Sequence, residues 1–142
     1  MTTTTATATA VETSATPAAQ PLLAFGGRVL IAAIFVLSGL SKVAAPAASI
    51  AYIQSAGLPL PQLALAAAVL VELGGGLALI AGYRVRLVAL ALAGFSIVTA
   101  LAFHNQLGDQ NQLIHFFKNV AMAGGLLQVA AFGGGRIAFQ RS

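Results

Sequence analysis

The chain has 142 residues, 58% of them hydrophobic and only 7% charged, with a mean hydropathy of +0.91; a soluble domain carries about 25% charged residues, so a water-soluble core of this size would have no polar shell, and the length allows one domain. Seven basic residues against three acidic ones give a net charge of +4, but they stand singly between apolar runs, which excludes the basic patch of a nucleic-acid binder and makes the excess a topology signal. There is no cysteine, which excludes disulfides, thiolate metal sites and an internal dithiol relay, so electrons in any redox role would travel on a cofactor, a small molecule or a partner subunit.

Residues 1–21 are rich in Thr and Ala, nearly uncharged, and closed by Pro17 and Pro21. Such a segment buries too little apolar surface to offset its ordering entropy, and a disordered tail is expected. It carries neither the basic start of a signal peptide nor the arginines of a transit peptide. Residues 22–43 form the first predicted span. Arg28 and Lys42 lie about 21 Å apart along such a helix and can snorkel toward opposite interfaces. Ser38 and Gly39 are small residues near the Lys42 end, suited to close helix packing in lipid.

Pro46 suits the first position of a helix, and Gly57 followed by Leu58 and Pro59 suits its end. Ile50, Tyr52 and Ile53 give this short helix an apolar side, so it is expected to lie at the membrane interface and not to span. The second predicted span covers residues 60–83 and opens at Pro61. Glu72 lies near its middle, where a charge costs roughly 2.5–3.5 kcal/mol on insertion scales and normally faces a bundle interior, finds a partner or is protonated. Gly75 and Gly76 follow at i+3 and i+4, which places them on the Glu72 side of a regular helix, facing the same neighbour.

The third and fourth spans are predicted at residues 87–104 and 113–132, with residues 137–142 as a C-terminal tail. Both termini then share a side with Arg28, Arg84, Arg86, Arg136 and Arg141, while Lys42 and Lys118 belong to the other. The positive-inside rule places the termini in the cytoplasm. The expected architecture is an all-α integral membrane four-helix bundle, with residues 22–136 as the membrane domain and lipid as its solvent. Gly39, Gly75, Gly76, Gly124 and Gly125 are its predicted helix-packing surfaces.

Lys118 lies about 8 Å inside the fourth span and Glu72 about 18 Å inside the second; a lysine stem covers much of the difference, and Arg28 enters from the other end to a similar depth. Either base is a candidate partner for Glu72. His115, Lys118, Asn119 and Met122 recur at i, i+3, i+4 and i+7 on one face, and with His104 and Lys42 they form a candidate polar pocket. The bland readings are a structural ion pair at Glu72 that sets helix register, snorkelling anchors at Lys42 and Arg28, and ordinary interfacial histidines. No metal site is expected, because the His spacing matches no ligand motif, and no nucleophile elbow, HExxH or phosphate loop is present.

The ordered set of Arg28, Ser38-Gly39-x-x-Lys42, Glu72-x-Gly74-Gly75 and Lys118-Asn119, carried on GRVLIAAIFVLSGLSKV, VELGGGLALIAGYRVRLVALAL and FFKNVAMAGGLLQ, resembles the DoxX family of small four-helix membrane proteins. That resemblance implies a bacterial inner-membrane protein. Some members are subunits of thiosulfate:quinone oxidoreductase, and others are placed in membrane-associated redox complexes handling thiols or oxidants. Without cysteine, this chain is not expected to carry thiols in its own right. Three functions follow as expectations. One is a subunit or accessory of a redox complex, more a non-catalytic partner than an enzyme by itself, whose pocket takes a quinone head group or a small oxoanion. The others are a small proton-linked permease and a structural scaffold. Redox partner subunits and a homodimer through the Gly and Ala faces are both compatible with the sequence.

Overall fold

The computed structural model describes residues 19–139; residues 1–18 of the predicted tail and residues 140–142 lie outside the described residues. Five helices account for nearly all of it: α1 (Ala19–Ala44), α2 (Pro46–Ser55), α3 (Pro61–Ala81), α4 (Val85–Phe103) and α5 (Gln110–Phe132). Among the described residues there is no strand. Four of the helices, α1, α3, α4 and α5, have 26, 21, 19 and 23 residues and are long and apolar enough to cross a membrane, which at ~1.5 Å per residue makes each about as long as a ~30 Å hydrocarbon layer is thick. The chain is an all-α bundle of four membrane spans, as its composition requires. Residues 19–21, read from sequence as tail, already form the first turn of α1, where Pro21 removes an N–H that has no intrahelical partner anyway.

The joints follow from local chemistry. Ala45 leaves the helical conformation (φ −133°, ψ 65°) because Pro46 clashes with a helical predecessor, and Pro46 then opens α2. Gly57 (φ +73°) ends α2, and Gly82 (φ +77°) ends α3 in the left-handed conformation that glycine adopts without a Cβ penalty. Asp109 caps α5, its Oδ1 accepting from the Gln112 backbone N–H at 2.9 Å.

The pattern of exposure is that of a protein solvated by lipid. Leu30, Leu63, Leu70, Leu90 and Leu127 point outward, while the interior holds Ala32, Ala89, Ala93 and Ala123 beside Phe35, Leu79, Leu92 and Leu126. Small residues inside let the backbones approach, since lipid offers no hydrophobic drive to bring helices together. This core fills only the half of the bundle nearest the described termini, here called the proximal half. There α1 packs on α3, α3 on α4, and α4 on α5.

The distal half is built differently. The first part of α3, Pro61–Val69, packs on α1 and α2 but comes within 8 Å, Cα to Cα, of no residue in α4 or α5. The bundle is therefore two leaves, α1–α2–distal α3 and α4–α5, joined proximally and parted distally. The transition falls at Leu70–Gly74, a single π-helical turn inside α3. Such turns insert one residue into an α-helix and recur at functional sites.

The neighbours of the glycines correct one expectation. A Cβ on Gly76 would come within 2.8 Å of Val36 Cγ2 and 3.3 Å of the Ala32 carbonyl on α1, but a Cβ on Gly75 would meet Leu92 of α4 at 2.9 Å. The two therefore face different neighbours, since consecutive helical residues point about 100° apart; Gly76 shares the α1 side with Glu72 and Gly75 does not. A Cβ on Gly39 would meet Leu73 at 2.7 Å and one on Gly125 would meet Ile31 at 3.2 Å, whereas one on Gly124 would meet nothing within 4 Å, so Gly124 is not a close helix approach within the chain.

Candidate functional site

Glu72 is 5% exposed and sits on the π-turn where the packed half gives way to the parted half. Its carboxylate turns toward α1. Oε1 accepts from Lys42 Nζ at 3.0 Å and from Ser38 Oγ at 3.2 Å, and Lys42 Nζ also donates to Ser38 Oγ at 2.8 Å. Oε2 lies 2.9 Å from the same ammonium, at ion-pair distance but out of line for a hydrogen bond. Ser38 and Lys42 are four residues apart on α1 and thus share a face, so one turn of α1 supplies both a hydroxyl and an ammonium to one carboxylate.

The partner of Glu72 is therefore Lys42, not Lys118 or Arg28. Depth along the helices left those two in contention, but rotation decides. Arg28 lies at the opposite end of the bundle, 1% exposed, where its guanidinium donates to the carbonyls of Gly134, Ile137 (2.7 Å) and Ile80 (3.4 Å) and lies 5.6 Å from the Phe25 ring. It is a buried fastener for the segment after α5, and it does not belong to the pocket. Residues 137–139, expected in a tail, run back across the proximal end, with the Phe139 N–H on the Ala81 carbonyl at 3.1 Å.

Above Glu72 the parted leaves enclose a cavity of about 720 Å³, within the range of small-molecule sites. Lys42, Ser38 and Glu72 form its floor. Phe35, Phe95, Phe103, Ile53 and Met122 supply apolar wall, and His104, His115, Lys118, Asn119 and Thr99 line it from α4 and α5. The structure thus brings Glu72, Lys42, His104, His115, Lys118 and Asn119 around one space and leaves Arg28 out. Lys118 is exposed at its edge. Among the described residues, no group of three His, Asp or Glu is gathered closely enough to hold a metal ion; His104 and His115 instead stack, ring centroids 5.0 Å apart, with His104 Nδ1 paired to Gln112 Oε1 at 2.9 Å.

Several contributors were not singled out in the sequence. Ser38 reads as a packing residue, although its i, i+4 relation to Lys42 is a usable signal. Thr99 Oγ1 lies 3.3 Å from Asn119 Oδ1 and ties the α4 and α5 walls together. Tyr52 of α2 stacks on Phe103 of α4 at 5.2 Å, the aromatic contact that bridges the two leaves at the mouth. No spacing rule links residues so far apart in sequence.

The arrangement, a Ser-Gly-x-x-Lys turn on one span answering a Glu followed by glycines on the next, is carried by the part of the chain that a known family describes: the DoxX family model matches residues 23–105. The chain belongs to the DoxX family. It is similar to two proteins of Escherichia coli K12: inner membrane protein YqjF, 34% identical over 80% of this chain and 86% of that one, and inner membrane protein YphA, 31% identical over 87% and 92%. No solved structure matches it significantly. With four apolar spans and such relatives, this DoxX protein is an integral inner-membrane protein. The matched region carries the whole Ser38–Lys42–Glu72 floor and His104, while the α5 wall lies beyond it.

Proposed function

We propose that this DoxX protein is a membrane subunit or accessory of a redox assembly and that its distal cavity receives a quinone head group. The observation that carries the reading is the composition of the cavity: aromatic and aliphatic walls over one polar floor whose charges already cancel, Lys42 against Glu72. A flat ring with carbonyl acceptors suits both parts, stacking on the walls and accepting from the ammonium or the serine hydroxyl. A small oxoanion suits them less, because it would bring an uncompensated charge to a floor without net charge. The test is extraction of quinone from the purified protein. Wild type retains quinone in roughly one-to-one ratio, while the double variant Lys42→Met/Glu72→Gln, which removes both charges and keeps the volume, loses it. Wild-type preparations without quinone, or equal retention by the double variant, overturn the reading. In membranes, quinone-dependent turnover of the assembly falls in parallel.

A second reading, a proton-linked permease, is favoured by the position of Glu72 at the boundary between an open half and a closed half. In proteoliposomes that reading requires a flux that responds to a pH gradient and is lost in Glu72→Gln. The distribution of charge supports cytoplasmic termini: Arg28, Arg84, Arg86 and Arg136 belong to the proximal end and Lys42 and Lys118 to the distal end. In that orientation α2 lies along the outer interface with Tyr52 half exposed beside the mouth.

A further inference from the structure

The cavity has a side as well as a mouth. Distal α3 has no Cα within 8 Å of any in α4, and Ala64 and Ala68 on α3 and Val98 and Ala102 on α4 all line the cavity. Three of the four are alanines, whose side chains reach little into the space beside them. Val98 lines the cavity and is 63% exposed, which agrees with a wall that is open to the surroundings beside it. At about 5–11 Å from the Pro61 end of α3, those surroundings are hydrocarbon.

Resting on the quinone reading above, we infer that the ligand of this site is a lipid-resident, chain-bearing quinone, whose ring lies over the Lys42–Glu72 floor and whose apolar chain leaves sideways between distal α3 and α4. Three features of the chain's route agree. Its lining is apolar along its whole length, with no donor that a hydrocarbon would leave unsatisfied. It is continuous with the polar floor. Its walls come from two leaves that pack helix on helix below Glu72 and are bridged distally by the Tyr52–Phe103 stack, so the cleft can widen without disturbing the packed core. By contrast the mouth is crossed by the Tyr52–Phe103 stack, which suits retention of a ring better than passage of a long chain. The first and fourth spans offer the competing exit, past Ile34, which lines the cavity at 41% exposure.

The experiment measures binding to the full-length protein in nanodiscs with two probes, a long-chain ubiquinone and its chainless head group. Ala68→Phe and Ala102→Phe fill the cleft from either side. The expected result is a roughly tenfold or greater fall in the ratio of long-chain to head-group affinity in each variant. Ala68→Leu and Ala102→Leu give the same order of effect at smaller size if a phenylalanine variant does not fold. Equal loss of both probes, no loss of either, or loss caused instead by Ile34→Phe overturns the side exit while leaving the quinone reading intact. Failure of the wild type to bind either probe removes the quinone reading and this inference with it.

Discussion

Lys42 and Glu72 stand 2.9 Å apart on neighbouring spans, the lysine a quarter exposed and the glutamate almost wholly enclosed, with Ser38 closing the triangle. Removing one member of a buried pair leaves the other charged and unmatched, which costs about 3–5 kcal/mol; the partial exposure of Lys42 puts this case near the lower value. Lys42→Met is expected to lower the unfolding midpoint in detergent markedly, and Lys42→Met/Glu72→Gln to recover most of the loss. A double variant no more stable than the single one would show that the pair is not the unit.

At the other end, Arg28 holds three carbonyls of two separate segments. Arg28→Ala is expected to free residues 133–139, and limited trypsin digestion in detergent followed by mass spectrometry should then cut after Arg136 much faster than in wild type. Arg28→Lys is not expected to rescue, because an ammonium lacks the planar fork that reaches several acceptors at once. Unchanged cleavage in Arg28→Ala would mean that the segment is held by its own contacts.

The glycines separate into working and idle ones. Gly76→Ala forces α1 and α3 apart at Val36 and Ala32 and is expected to cost about 1–3 kcal/mol, as overpacking does. Gly124→Ala meets nothing within 4 Å and should leave the midpoint in detergent unchanged or slightly raised. Equal losses in the two would contradict the close approach of α1 to α3.

Orientation is open to labelling, since the chain has no cysteine of its own. With cytoplasmic termini, a membrane-impermeant maleimide should modify Gly108→Cys in intact cells and reach Tyr83→Cys only after lysis. The opposite pattern would invert the assignment.

Much of the architecture is legible without coordinates, and the candidate site less so. Four apolar runs of membrane length, broken at Pro46, Pro61, Gly82 and the polar loop before Gln110, define the spans because hydropathy and backbone restrictions are local properties. The 3.6-residue period likewise collects His115, Lys118, Asn119 and Met122 on one face of α5. Neither signal reveals the π-turn at Leu70–Gly74, nor which neighbouring span Gly75 and Gly76 each meet.

By itself, then, the sequence determined the solvent of this protein, the number of its spans and the presence of one carboxylate deep among them, since each depends on residue type along a single helix. The tertiary structure alone decided that Lys42 and not Lys118 or Arg28 answers Glu72, that Arg28 fastens the opposite end, and that the two leaves part to leave a cavity. Depth is one coordinate and can be counted along the chain; the rotation of each helix and its distance from the next arise from side chains meeting across spans, and no count of residues contains them.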